Sequence, residues 1–165
     1  MPDILLIQPP IRDFYLTAKR TVPYGLACLA ASLQQEGFSV EILDALASPR
    51  RKSVPLPDAL SYLEPFYGRK DLSPFALFHD FRHYGLSYAR IGDIAARSGA
   101  FLVGIGSLFT PYAHSALQTA AAVKAALPDC ALVVGGHHPT ALPEDVLRHP
   151  AVDFVLRGEA ETALP

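Results

Sequence analysis

The chain has little cysteine, no tryptophan and no excess of charge of either sign. Its two cysteines, Cys28 and Cys130, are far apart and lie in apolar runs, so a disulfide framework and a metal site built on cysteine alone are excluded. We predict two buried free thiols in a reducing cytoplasm. Because 14 Lys and Arg residues oppose 16 Asp and Glu residues, the chain also lacks the cationic surface typical of nucleic-acid binding.

Long hydrophobic runs are also missing. The segment from Met1 to Ile7 has no basic stretch and only four consecutive apolar residues, so we expect neither a signal peptide nor a membrane span. Hydrophobic residues nevertheless make up 50% of the chain, which excludes disorder. These features predict one globular cytoplasmic domain over residues 1–165.

Short apolar segments alternate with segments of helical periodicity. The predicted strands are Ile4–Ile7, Val40–Leu43, Phe101–Ile105, Ala131–Val134 and, more weakly, Val152–Leu156. Four helices are predicted, one ending at Gly37, one capped by Ser87, one starting at Thr110-Pro111 with a threonine cap, and one opening at Pro143. This alternation predicts an α/β fold with a five-stranded parallel sheet, buried on both faces by helices.

Residues 46–86 interrupt the alternation. This insertion contains five prolines, the basic run Arg50–Lys52 and aromatics that include Tyr62, Phe66, Tyr67, Phe75, Phe78, Phe81 and Tyr84. Since a disordered linker rarely carries so many aromatics, we expect an ordered excursion packed on this domain or on a neighbouring one. The basic run is interpreted as a solvated surface. His79 and His83 have the spacing of one helical face, although the nearby prolines make a helix there uncertain.

Ligands of open parallel sheets bind beyond the carboxyl ends of the strands, and the loops at those ends lack the common signatures. The loop after the first strand, Gln8-Pro9-Pro10, has no glycine for a dinucleotide fingerprint and no acidic pair for phosphoryl acceptance. A phosphate-binding Walker loop is absent. Ser107 directly follows Gly106, which does not fit the G-x-S-x-G pattern of a hydrolase nucleophile.

Small and hydroxylated residues dominate these loops instead. Gly135 and Gly136 allow a ligand to approach the backbone closely, while Ser107 and Thr110 offer hydroxyl groups from the neighbouring loop. Taken singly, the glycines could simply make a tight turn and Thr110 could cap a helix. Together they favour a large, flat and mostly neutral ligand over a phosphate-rich nucleotide.

The titratable residues at this edge allow more than one interpretation. His137 and His138 are neighbours whose side chains are expected to diverge, so a structural or ligand-contacting imidazole is favoured over a metal ligand. Glu159 and Glu161 could act as a general acid and base, but the stronger interpretation is that they cap the following helix.

At these loops the sequence resembles the N-terminal cobalamin-binding domain of cobalamin-dependent radical S-adenosylmethionine proteins. The resemblance spans nearly the whole chain and is carried by Ile4–Pro10, Val22–Ala30, Val40–Ala45, Val103–Ser107 with Thr110, Val133–Thr140 and Val152–Glu161. It implies a three-layer, Rossmann-like (flavodoxin-like) fold that holds the corrin over the carboxyl edge of the sheet. The cofactor-binding residues that it implies are Pro10, Gly25, Ser107, Thr110, Gly135, Gly136, His138, Thr140, Gly158 and Glu159.

The sequence departs from related cobalamin proteins in two ways. The D-x-H-x-x-G motif, whose histidine binds cobalt in methionine-synthase-type domains, is replaced by Gln8-Pro9-Pro10-Ile11-Arg12-Asp13, which leaves the lower axial ligand unassigned. The C-x-x-x-C-x-x-C motif that would hold a [4Fe–4S] cluster is absent. We therefore expect the cluster and S-adenosylmethionine in a separate domain C-terminal of residue 165, and no radical catalysis by this domain alone.

The resemblance thus implies a cobalamin-binding module of a radical S-adenosylmethionine enzyme that methylates an unactivated carbon or modifies a tetrapyrrole or lipid. Some relatives perform cyclisation or oxygen insertion instead. Two other hypotheses remain, namely a degenerate flavodoxin-like docking domain without cofactor and a flavin- or nucleotide-binding module.

Overall fold

The structure is a computed structural model that describes residues 1–14, 22–66 and 80–165. The described residues form eight strands, β1 (Ile4–Gln8), β2 (Ile11–Asp13), β3 (Val40–Asp44), β4 (Arg51–Ser53), β5 (Arg82–Tyr84), β6 (Leu102–Gly106), β7 (Ala131–Gly135) and β8 (Phe154–Val155). Five of them make a parallel sheet in the order β3-β1-β6-β7-β8. This confirms the predicted α/β fold, and the strand order is that of the flavodoxin-like class.

Six helices accompany the strands in the described part of the chain. They are α1 (Tyr24–Gln35), α2 (Tyr88–Ser98), α3 (Ala113–Ala126), α4 (His137–Ala141), α5 (Pro143–Leu147) and α6 (Ala160–Ala163). As predicted, the Ser87 hydroxyl accepts the backbone N–H of Arg90 at the start of α2. The predicted cap at Thr110 is wrong, because a 3-10 turn over Thr110–Tyr112 precedes α3 and the side chain of Thr110 bonds elsewhere.

The central strand β1 separates two apolar layers. Leu5 and Ile7 point into the larger core with α2 and α3, whereas Ile4 and Leu6 point into a second core with α1 and α6. The expectation that every strand is buried on both faces is wrong for the two edge strands. In β3 the side chain of Glu41 is exposed, and in β8 the same is true of Phe154; the two strands lie at the edges of the five-stranded sheet that the described residues form.

The excursion after β3 returns to the domain as a second sheet. Strands β2, β5 and β4 pair antiparallel, with Tyr84 opposite both Ile11 and Arg51. Ile11, Tyr84 and Leu46 form a small third core, against which Tyr112 packs. The predicted packing on this domain is therefore confirmed for these described residues.

Two interpretations within the excursion change. The basic run is partly strand, since Arg51–Ser53 is β4, although its side chains are exposed as expected. His83 lies on β5 and not on a helix, and its Nε2 atom is 2.9 Å from the carbonyl oxygen of Leu86. Burial lowers the pKa of His83. His79, Tyr67, Phe75 and Phe78 lie outside the described residues.

The two cysteines are free, but only one is buried. Cys130 is 3% exposed, and burial raises the pKa of its thiol, as expected for an inert core cysteine. Cys28 is half-buried on α1, which corrects the prediction that both are core residues. Among the helices that the structure describes, none has the length and hydropathy needed to cross a membrane.

A polar tie joins the carboxyl end of α3 to the starts of β7 and β8. The Lys124 ammonium donates to the carbonyl oxygen of Cys130 at 2.6 Å and to Oδ2 of Asp153 at 2.7 Å. The same carboxylate oxygen accepts the backbone N–H of Leu132 at 2.7 Å. These hydrogen bonds lower the pKa of Asp153, and the bond from Lys124 has a larger effect than the bond from Leu132.

Replacing Lys124 by methionine is expected to lower the free energy of unfolding by about 1 kcal/mol, because it leaves the carbonyl and the carboxylate without their charged donor. Since the folded-state pKa of Asp153 is lowered, its stabilisation is present above the unfolded value of 3.8 and is lost as pH falls through the folded value. Urea unfolding at pH 7 and at pH 3 measures both effects.

The control is Arg148→Met, which removes an exposed i,i+3 pair with Asp145. It should change stability by less than about 0.5 kcal/mol. Equal losses in the two variants at pH 7 would contradict a specific role for the Lys124 tie.

Candidate functional site

A cavity of about 1000 Å³ opens at the carboxyl edge of the parallel sheet and extends along the face covered by α1 and α6. Its deeper part is apolar, with Leu6, Gly104 and Val133 from the sheet and Leu29 from α1. Small-molecule sites usually enclose about 300–1,000 Å³, so this cavity suits a large ligand.

Gly104 leaves room for the side chain of Leu6 in the wall of this cavity. A Cβ atom at this position would lie 2.7 Å from Cδ2 of Leu6. A glycine in the interior of a buried strand indicates close approach of another group, and that signal in the sequence could have identified Gly104 as part of the site.

The loops after β6 and β7 hold each other through their backbones. The Ser107 N–H donates to the carbonyl oxygen of Gly135 at 2.7 Å, and the His138 N–H donates to the carbonyl oxygen of Ser107 at 3.2 Å. Gly136 has φ +123°, and a Cβ atom there would lie 2.5 Å from the Ser107 oxygen. Glycine is thus required at 136, whereas a Cβ atom at Gly135 would meet Leu156 at an ordinary 3.5 Å.

Ser107 lines the cavity and carries a buried hydroxyl group. The residue is 3% exposed, and its Oγ atom finds no hydrogen-bond partner in the part of the chain that the structure describes. A buried polar group without a partner costs about 1–3 kcal/mol. Such a group at the wall of a large cavity indicates a ligand that completes the hydrogen bond.

Thr140 links the turn at Gly136 to the loop at Gly158 in the cavity wall. Its hydroxyl donates to the carbonyl oxygen of Gly136 at 2.8 Å and accepts the N–H of Gly158 at 3.0 Å. Gly158 has φ +74°, so the chain turns there and brings Glu159 to the wall. One threonine therefore positions α4 relative to the loop before α6.

Most of the cofactor-binding residues that the resemblance implies line this cavity. Eight of them line it, namely Pro10, Gly25, Ser107, Gly135, Gly136, Thr140, Gly158 and Glu159. Thr110 and His138 are not among the lining residues. Instead, Nδ1 of His138 is 3.2 Å from Oγ1 of Thr110, and His138 is 7% exposed.

His137, and not its neighbour His138, lines the cavity wall. As expected, the two side chains diverge, and His137 is exposed and lines the cavity. The Thr110–His138 pair fastens the two loops behind the wall, so a positioning role fits their contacts better than ligand contact. Their assignment as cofactor contacts stays a prediction.

Glu159 and Glu161 both line the cavity. As predicted, Glu159 is the N-cap residue of α6, although its side chain makes no hydrogen bond to the helix backbone. Glu161 is an acidic residue in the first turn of α6. No lysine or arginine appears among the described residues that line the cavity.

Tyr112 is a lining residue that the sequence did not reveal. Its hydroxyl donates to Oδ2 of Asp13 at 2.5 Å, which fixes the phenol ring at the wall. Asp13 lies on β2 and Tyr112 on the turn before α3, so this hydrogen bond joins two elements that are remote in sequence.

The fold and the cavity define an α/β domain with a large cavity at the carboxyl edge of a flavodoxin-like sheet. The model of the B12 binding domain family matches residues 77–165, which is more than half of the chain. The chain belongs to the B12-binding domain family, and this confirms the resemblance to cobalamin-binding domains.

Two individual proteins are similar to this chain. The cytidylyl-2-hydroxyethylphosphonate methyltransferase of Streptomyces wedmorensis is 29% identical over 159 residues, which cover 96% of this chain and 26% of that protein. The chain thus spans about a quarter of the length of this relative. The solution structure of a response regulator protein from Burkholderia multivorans aligns with a TM-score of 0.44 and 14% identity, covering 96% of this chain and 84% of that one.

Proposed function

We propose that the cavity holds cobalamin and that the chain is the cobalamin-binding part of a methyltransferase. The observation that carries this proposal is Ser107, a buried hydroxyl without a partner among the described residues, at the wall of a large apolar cavity in a B12-binding family member. The methyltransferase activity of the relative from Streptomyces wedmorensis supports the second half of the proposal.

The lining residues fit a large, flat and mostly uncharged cofactor. Gly135 and Gly136 would present backbone to the ring, Ser107 would bond one of its polar side chains, and Leu6 and Leu29 would cover apolar parts. When bound, cobalamin supplies a cobalt centre that can carry a methyl group. The chain's own task is to bind, orient and shield that cofactor.

We further propose that a domain C-terminal of residue 165 supplies a [4Fe–4S] cluster and S-adenosylmethionine. The resemblance to radical S-adenosylmethionine proteins supports it, as does the short span of the relative that this chain covers. The methyl acceptor would be shaped mostly by that domain. The relative's name makes a nucleotidyl phosphonate one candidate beside the tetrapyrrole and lipid classes.

The structure bears on the two other hypotheses. A docking domain without cofactor has no need of a formed cavity of about 1000 Å³. FMN or a nucleotide would bring a multiply charged terminal phosphate to a wall where the described lining includes two carboxylates and neither lysine nor arginine, whereas cobalamin carries one singly charged phosphodiester on a much larger, mostly uncharged body. Both observations favour a corrinoid.

An anaerobic titration tests the proposal. The purified chain is mixed with hydroxocobalamin, passed over a size-exclusion column and examined by visible absorption. We expect about one corrinoid per chain, with a shifted absorption band, and no retention of FMN in a parallel run. A chain that is folded by circular dichroism but retains no corrinoid would overturn the proposal, and retention of FMN alone would support the flavin hypothesis.

A further inference from the structure

The described residues that line the cavity include acidic side chains but no lysine or arginine. The described lining residues with titratable side chains are Tyr24, Tyr112, His137, Glu159 and Glu161. The two glutamates are the carboxylates of this set, and no cationic lysine or arginine accompanies them in the described lining. Arg157 belongs to the same loop as Glu159, but it is exposed and lies outside the lining.

Within the described ranges, neither glutamate side chain forms an ion pair. The ion pairs found in the described ranges use the carboxylates of Asp80, Asp145 and Asp153. The backbone oxygen of Glu161 accepts the Ser32 hydroxyl at 3.1 Å, which docks α6 against α1 and holds this end of the wall in place. Both glutamates line the cavity, and neither side chain takes part in an ion pair among the described residues.

Ser107 independently indicates that a polar ligand group enters this cavity. The residue is only 3% exposed, and its Oγ atom has no hydrogen-bond partner among the described residues. A hydroxyl can donate or accept, whereas ionised glutamates only accept. The wall therefore complements a ligand that carries N–H donors at its periphery and no negative charge near the glutamates.

We propose, on the basis of the proposed function, that Glu159 and Glu161 make the site selective for corrinoids whose peripheral side chains are carboxamides. An amide N–H can donate to either carboxylate, and a hydrogen bond to a charged acceptor is stronger than a neutral one. A corrinoid with free carboxylates would place like charges together in a partly buried wall, which weakens binding. The two glutamates are thus specificity-determining residues for the amidation state of the ring.

The test compares two probes that share the corrin ring. Cobinamide carries carboxamides, and cobyrinic acid carries carboxylates at the corresponding positions. Each is titrated into the purified chain at pH 7 and low salt, with binding followed by visible absorption. We expect cobinamide to bind at least about tenfold more tightly than cobyrinic acid, and the difference to shrink in 0.5 M salt as the charges are screened.

The double variant Glu159→Gln/Glu161→Gln should bind the two probes within about threefold of each other, because glutamine removes the negative charges and keeps the size. Glu144→Gln is the matched control, since Glu144 is an exposed acid in the first turn of α5 outside the lining. It should keep the full preference of the unaltered chain.

Each outcome separates the two proposals. Equal affinity of the unaltered chain for cobinamide and cobyrinic acid would overturn the inference while leaving cobalamin binding intact. A preference that persists in the double variant, or that does not respond to salt, would also overturn it. If neither probe nor cobalamin binds the folded chain, the proposed function itself is wrong.

Discussion

Replacing Gly136 by alanine is expected to weaken corrinoid binding by at least about a hundredfold and to destabilise the chain by about 2–4 kcal/mol, since it combines backbone strain with a steric clash. The residue has φ +123° and ψ −172°, a conformation essentially confined to glycine. The new Cβ atom would also lie 2.5 Å from the carbonyl oxygen of Ser107. Relief of the clash must move the two loops that form the wall.

Gly135→Ala provides the matched control. A Cβ atom at this neighbouring position meets Leu156 at 3.5 Å, and its backbone does not require glycine. We expect its stability to stay within about 1 kcal/mol of the unaltered chain, because the added methyl group makes an ordinary van der Waals contact. Urea unfolding and corrinoid titration of both variants make the comparison, and similar behaviour of the two would contradict the specific role of Gly136.

Ser107→Ala is expected to act in opposite directions on stability and on binding. Removing a buried hydroxyl that has no partner among the described residues should raise the free energy of unfolding of the cofactor-free chain by about 1 kcal/mol. If the hydroxyl bonds the cofactor, its loss should weaken corrinoid binding by about tenfold, which corresponds to about 1.4 kcal/mol. Thermal unfolding and visible titration measure the two quantities separately.

Ser98→Ala is the control for this pair of effects. The Ser98 hydroxyl is also buried, but it donates to the carbonyl oxygen of Ala95 at 2.6 Å and accepts the N–H of Ala100. Its removal should lower stability by about 1 kcal/mol and leave the corrinoid affinity unchanged. If the cofactor-free Ser107→Ala chain also lost stability, the hydroxyl would have a structural partner and the assignment to the cofactor would fail.

The parallel sheet was predictable because its inner strands are buried on both faces. Such strands, Ile4–Gln8, Leu102–Gly106 and Ala131–Gly135, appear in the sequence as continuous apolar runs, and the helices between them show a 3.6-residue period. The glycine and hydroxyl residues at their carboxyl ends then lie side by side as a consequence of the topology. Most of the candidate site follows from that reasoning.

The rest depends on contacts that no local pattern records. The strands of the second sheet have three residues each and show no clear alternation, so β4 resembled a charged loop and His83 resembled part of a helix. Tyr112 reaches the wall through Asp13, which is remote in sequence. The sequence also could not show that His137 lines the cavity while His138 is buried behind its wall, because these positions depend on the local turn at Gly136.

The position of β1 in the sheet sets an order on how the domain can form. This strand precedes the other strands of the sheet in the chain, yet it pairs with β3 on one side and with β6 on the other, where Ile4 is opposite Leu102. One edge of β1 can therefore pair only after β6, in the second half of the chain, has been synthesised. The cavity is complete only after the loop at Glu159 has been added. If the chain binds cobalamin only as the finished domain, as proposed, the cofactor would stabilise the folded state by mass action, and more folded protein should accumulate when cobalamin is supplied during synthesis.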